Sequence, residues 1–171
     1  MNPMQNQTIS VLITKRTDRF SKLIYWLTGR KYTHASIRLD GMGESFYSFT
    51  SKGFCREPFR WLTGRKMVSG VLYRLEVSGE VYVNAETTLK HFLQNRKHYR
   101  YSLLGAILCL LHIPCKFKNL YFCSQFVAEL LVSSGAVDLK RKASTYLPNT
   151  LDRELRECPT LYEAELIPVC A

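Results

Sequence analysis

The chain has 171 residues, 46% hydrophobic and 22% charged, the composition of one globular domain large enough to bury a core without disulfide or metal staples. Its net charge of +10 is spread over short groups such as "NRKHYR", "KFK" and "KRK". With no helical basic stripe, zinc-finger spacing or RNP-like aromatic motif, this excludes the recognisable nucleic-acid readers and leaves a basic surface.

From the N-terminus, "TISVLIT" (8–14) alternates apolar and polar residues and predicts a strand. Residues 18–29 follow with helical spacing through Phe20, Leu23, Ile24 and Leu27, and stop at Gly29. "THASIRL" (33–39) and "ESFYSFT" (44–50) are two alternating runs joined by "DGMG", whose glycines supply the positive φ of a tight hairpin turn. Residues 51–68 carry no readable pattern and are taken as a loop, after which "GVLYRLEV" (70–77) predicts another strand. Residues 80–97 read as an amphipathic helix through Val81, Ala85, Leu89, Phe92 and Leu93, joined by a basic linker to an apolar segment at 101–112. "NLYFCSQFVAELL" (119–131) starts a helix that ends near Gly135, a C′ glycine. After a basic loop, "PNTLDRELRE" (148–157) predicts a short helix with Pro148 in its first turn, and "TLYEAELI" (160–167) a last strand. About five strands in a mostly antiparallel sheet with four or five helices make one α+β domain over residues 1–171.

The hexapeptide "WLTGRK" occurs at 26–31 and again at 61–66. Its flanks diverge and solenoids need three or more copies, so it reads as one local solution used twice, an apolar anchor followed by a glycine stop.

The six cysteines do not imply a disulfide framework, because the chain is long and apolar enough to do without one and shows no secretion signal. No C-x-x-C pair exists and the four histidines are not spaced as zinc ligands, so neither a metal nor a cofactor is expected. The longest apolar run, residues 101–114, has 14 residues against the roughly 20 that span a bilayer. A cytoplasmic protein, soluble or peripheral at a membrane, is the expectation.

Cys123 stands in the first turn of a helix whose apolar face is carried by Phe122, Phe126, Val127, Leu130 and Leu131. Unpaired N–H groups and the positive end of the helix dipole favour an anion there, and the thiolate is the nucleophilic form of cysteine. A buried cysteine that merely packs has the same address. A nucleophilic thiol needs a base, and histidine suits that work near neutral pH. His91 and His98 lie among Lys and Arg on or just after the long helix, and His112 ends the apolar segment. His34 opens a strand directly after a turn-prone loop, where a rigid scaffold presents side chains to a cleft. A strand histidine hydrogen-bonded within the core is the other reading of that position.

The combination of "LITKRTDRFSKLIYWLTGRKYTHASIRLD", "FYSF" and "NLYFCSQFVAELL" resembles the circularly permuted papain-like cysteine hydrolases of the NlpC superfamily, the YaeF/YiiX type. The likeness spans residues 8–135, with "YTHASI" and "YFCSQFVAELL" as its specific parts. It implies a permuted papain-like fold with Cys123 as nucleophile, His34 as general base and a third, polar residue from the strand after the histidine. Ser48 best matches that third position, with Glu44 as the alternative. Ser124 and Gln125 either shape the oxyanion site or cap the helix.

The expected function is that of a cysteine amidase or peptidase forming an acyl-enzyme on an amide-linked substrate. Two alternatives stand beside it. One is an acyltransferase or lipid esterase acting through weak contact of segment 101–113 with an anionic membrane, as in the related lecithin retinol acyltransferase branch. The other is a non-enzymatic basic binding module, with no specific nucleic-acid partner expected.

Overall fold

A computed structural model describes residues 7–16, 31–58 and 67–167. Its centre is a six-stranded sheet in the order β4-β3-β2-β1-β5-β8, with β1 Gln7–Arg16, β2 His34–Leu39, β3 Ser45–Thr50, β4 Gly53–Pro58, β5 Met67–Val77 and β8 Leu161–Ile167. Every neighbouring pair in it is antiparallel. The two-residue strands β6 Arg100–Tyr101 and β7 Leu120–Tyr121 form a separate parallel pair. Four helices complete the described chain: α1 Gly79–Gln94, α2 Leu103–Leu110, α3 Cys123–Ser134 and α4 Pro148–Arg156. The architecture is α+β, as the pattern of elements predicts. The helix predicted over 18–29 and, but for Lys31, both copies of "WLTGRK" lie outside the described residues.

The sheet has one strand more than expected. The sequence predicts a loop over residues 51–68, yet Gly53–Pro58 pairs with β3 at all six positions, from Thr50↔Gly53 to Ser45↔Pro58. The hairpin closes through Ser51 and Lys52, with the Lys52 N–H donating to Thr50 Oγ1 at 3.3 Å. Gly53 makes it possible: its φ is +89°, and a Cβ there would stand 2.8 Å from the Tyr99 carbonyl oxygen. Only glycine satisfies both conditions.

Alternation along the strands divides the core. Ile9, Val11 and Ile13 of β1 join Ala35, Ile37 and Leu39 of β2 and Val71, Tyr73 and Leu75 of β5 on the face that α1 and α3 cover. Leu12, Phe46 and Leu72 form a smaller cluster on the opposite face. β1 is thus buried on both sides, which is why its polar positions Ser10 and Thr14 are also inaccessible.

Helix α1 begins at Ser78, whose hydroxyl accepts from the Val81 N–H, and buries Tyr82, Ala85, Leu89 and Phe92. Helix α3 packs on α1, β2 and β3 and ends at Gly135 in the left-handed region (φ 82°), the predicted C′ glycine. Phe126 of α3 sits at ring-centroid distances of 5.4 Å from Phe49 of β3, 5.4 Å from Phe54 of β4 and 4.9 Å from Phe92 of α1. Four elements therefore converge on one ring.

Phe126→Ala is expected to cost about 3–5 kcal/mol through lost burial and the cavity left among four elements. A urea titration of wild type and variant measures it, and a loss under 1 kcal/mol would show that the cluster does not hold the fold.

Candidate active site

Cys123 is the first residue of α3, and the residue at the N-cap is Phe122, which has no side-chain acceptor for the first-turn N–H groups. The sulfur itself takes up that role, held by the backbone N–H groups of Ser124 and of Ala35 across on β2. The helix leaves its positive end to a group that gains from being an anion.

His34 is the first residue of β2 and faces Thr14 of β1 in the antiparallel register. The chain entering it is tied down twice. The Thr33 N–H donates to the Thr14 carbonyl at 2.9 Å, and Thr33 Oγ1 accepts from the Arg16 N–H at 3.1 Å. Asn149, in the first turn of α4, accepts from the Tyr32 N–H at 3.1 Å and donates to its carbonyl at 2.8 Å. An imidazole carried on such a strand end has little freedom to leave the sulfur.

The imidazole Nε2 lies 2.8 Å from Glu57 Oε2, on β4. The other carboxylate oxygen, Oε1, accepts from Arg16 Nη1 at 2.6 Å. Glu57 sits directly across from Phe46 in the β3–β4 register and is buried, at 7% exposure. With Nε2 committed to Glu57, Nδ1 is the nitrogen left to exchange a proton with Cys123, whose side chain hydrogen-bonds to His34.

The electrostatics follow from this order of groups. Burial disfavours a charged His34, but the Glu57 charge and the hydrogen bonds to Cys123 and Glu57 outweigh it and push the imidazole up to about 9. Burial likewise opposes ionisation of Glu57, and is overcome by the His34 and Arg16 charges, which bring the carboxyl down to about 2. For Cys123 burial opposes the thiolate, while His34 and the N–H groups of Ala35 and Ser124 win and lower it below an ordinary thiol. Neighbouring Cys55 goes the other way: burial and the nearby Glu57 charge push it up to about 12, so it remains a neutral thiol. The arrangement favours the thiolate of Cys123 and the imidazolium of His34, backed by a carboxylate.

The structure brings Cys123 and His34 together from positions 89 residues apart in the sequence. It does not bring Ser48 or Glu44 to the imidazole. Ser48 is fully buried and its hydroxyl donates to the Ala35 carbonyl at 2.6 Å, while Glu44 is exposed just ahead of β3. The residue on the imidazole is Glu57, one strand further along, together with Arg16 behind it. His91, His98 and His112 are all exposed, away from this cluster. The signal for Glu57 was the "TSKG" turn after a clear strand, which predicts a hairpin partner over the following residues.

Two further features border Cys123. The Ser124 Oγ, Gln125 Nε2 and Thr14 Oγ1 atoms are buried without a hydrogen-bond partner. A narrow apolar cleft of about 20 Å³ reaches Cys123 between α2, Phe122 and Leu147. Among the described residues no group of three or more His, Cys, Asp or Glu side chains is placed to hold a metal ion.

Comparison of the chain with protein-family models and with curated proteins found no match.

Two measurements check the electrostatics. His34 is expected to titrate near 9 by NMR of its ring protons, and in Glu57→Gln the midpoint should fall, because removing the anion leaves burial as the dominant influence. An unshifted midpoint would remove Glu57 from the pair. Alkylation of Cys123 by iodoacetamide, followed by mass spectrometry, should proceed below pH 8, where ordinary thiols with pKa about 8.5 are protonated. In His34→Ala the rise in rate should move to higher pH; equal profiles would mean that the imidazole does not activate the thiol.

Proposed function

We propose that the chain is a cysteine hydrolase that forms an acyl-enzyme on Cys123, with His34 as acid and base, built as a circularly permuted papain-like amidase. The observation that carries this reading is the chain of contacts from Arg16 through Glu57 and His34 to Cys123, with every inner member buried. A core histidine that only packs does not need a buried carboxylate on one edge and a lowered thiol on the other.

In the first half-reaction the Cys123 thiolate attacks the substrate carbonyl and a C–S bond forms. The tetrahedral oxyanion collapses, the C–N bond of the amide breaks, and the leaving nitrogen takes the proton from the His34 imidazolium. Water then attacks the thioester and gives a proton to the neutral imidazole. Breaking the C–S bond releases the carboxylic acid and restores the thiolate and the imidazolium.

Glu57 is a positioning residue in this scheme. It fixes the imidazole by Nε2 and stabilises the imidazolium, which a serine in its place would do far less well. Arg16 keeps Glu57 ionised and immobile. The reversed order, histidine first and cysteine second, and the placement of His34 at a strand start beside Cys123 at a helix start support the permuted papain-like assignment.

Incubation with p-nitrophenyl acetate should leave an acetyl group on Cys123, visible as a 42 Da increase in intact mass, roughly that of one acetyl per chain on a single nucleophile. Cys123→Ala should carry none and lose turnover, and Glu57→Gln should lower kcat by roughly 10²-fold or more with its pH profile displaced. Equal acetylation and turnover in wild type and Cys123→Ala would refute the reading.

A further inference from the structure

Ser124 follows Cys123 in the first turn of α3 and is fully buried, yet its hydroxyl oxygen has no hydrogen-bond partner. A serine in a helix ordinarily satisfies its hydroxyl on nearby backbone. Ser133 and Ser134 of the same helix donate to the Leu130 and Leu131 carbonyls at 3.2 and 3.1 Å, and Ser102 caps α2 by accepting from the Gly105 N–H at 3.0 Å. Ser124 is placed for neither arrangement. The carbonyl three residues before it, that of Tyr121, lies in β7 and accepts from the Ser102 N–H at 2.9 Å, while the N-cap position belongs to Phe122. A buried hydroxyl left unpaired is destabilising, and alanine in its place would avoid that cost. Folding gains nothing from this oxygen.

Its surroundings give it another use. Ser124 shares its unpaired state with Gln125 Nε2 and Thr14 Oγ1, but of the three residues only Ser124 lines the narrow cleft that reaches Cys123. Thr33 lines the same cleft, and its Oγ1 already accepts from the Arg16 N–H at 3.1 Å. Most of the remaining wall is apolar, with Ala106, Phe122 and Leu147 among its members, and offers the Ser124 hydroxyl nothing. The backbone N–H of Ser124 is engaged as well, since it holds the Cys123 sulfur. The hydroxyl is therefore the donor that this turn offers to a group arriving at Cys123.

We infer that the Ser124 hydroxyl is an oxyanion donor, hydrogen-bonding the carbonyl oxygen of the substrate as Cys123 attacks. This rests on the acyl-enzyme reading above and adds to it a residue that touches the reacting atoms. The S–C bond forms, the π pair of the carbonyl moves onto oxygen, and that oxygen accepts from the Ser124 O–H without taking its proton. When the pair returns to restore the C=O bond, the leaving nitrogen or oxygen departs with the His34 proton. A donor fixed beforehand in an apolar wall acts strongly on charge that develops there, because little water competes for it and nothing has to reorganise.

The test sets two reactions of Cys123 against each other in the full chain. Acetylation by p-nitrophenyl acetate passes through a tetrahedral oxyanion, whereas alkylation by iodoacetamide displaces iodide at a saturated carbon and forms none. In Ser124→Ala the pre-steady-state rate of acetylation should fall by roughly 10²- to 10³-fold, the loss that follows removal of one oxyanion donor. The alkylation rate against pH should match wild type, and the urea midpoint should be no lower, because the variant removes an unpaired buried hydroxyl. Unchanged acetylation in Ser124→Ala would overturn the inference and leave the hydrolase reading in place. Acetylation and alkylation slowed to the same extent, or a lowered urea midpoint, would give the serine a structural role and overturn it too. Absence of any acetylation of Cys123 in the wild type would overturn both the hydrolase reading and this inference.

Discussion

The Glu57 carboxylate is the constraint from which the arrangement of the site follows. A charge buried in a protein interior is tolerated only when its lone pairs are satisfied by cations or donors, and leaving one uncompensated is strongly destabilising. Glu57 divides its two oxygens between Arg16 at the end of β1 and His34 at the start of β2. Those partners in turn define what the strand ends must do. β1 has to run far enough to deliver a guanidinium, β2 has to begin at the imidazole, and β4 has to exist at all.

The aromatic cluster makes that geometry rigid. Phe54 lies three residues before Glu57 on β4, and it packs edge-on against Phe126 of the helix that Cys123 begins. The hairpin that carries the carboxylate and the helix that carries the thiol are therefore packed on each other. Phe49 of β3 and Phe92 of α1 close the same cluster from the sheet and from the neighbouring helix. Dispersion and burial in this cluster hold the charged groups in register, and the charged groups specify which register that is.

The two sides of Cys123 are chemically unlike. On one side stand His34, Glu57 and Arg16, a line of alternating charge that stabilises the thiolate. On the other lies the apolar cleft under α2. A low-dielectric wall beside a charged line strengthens each electrostatic contact in the line.

Much of this was legible in the sequence because it rests on local physics. The 3.6-residue period set α1 and α3, alternation set β1, β2 and β3, and Gly135 marked the end of α3, since each signal depends on residues within a few positions of one another. The positions of Cys123 at a helix start and His34 at a strand start were readable for the same reason. Glu57 was not. β4 is six residues long, bounded by Gly53 and Pro58, and it points a carboxylate inward where patterning leads one to expect an apolar side chain. That inversion is stable only because His34, 23 residues away, and Arg16, 41 residues away, arrive at the same place. No periodicity in the chain encodes such a meeting. The amino-acid sequence by itself determined most of the elements, though not β4, and that Cys123 and His34 stand at element starts. Only the tertiary structure decided that Glu57, and neither Ser48 nor Glu44, holds the imidazole, because a buried charge is permitted by partners that the fold alone assembles.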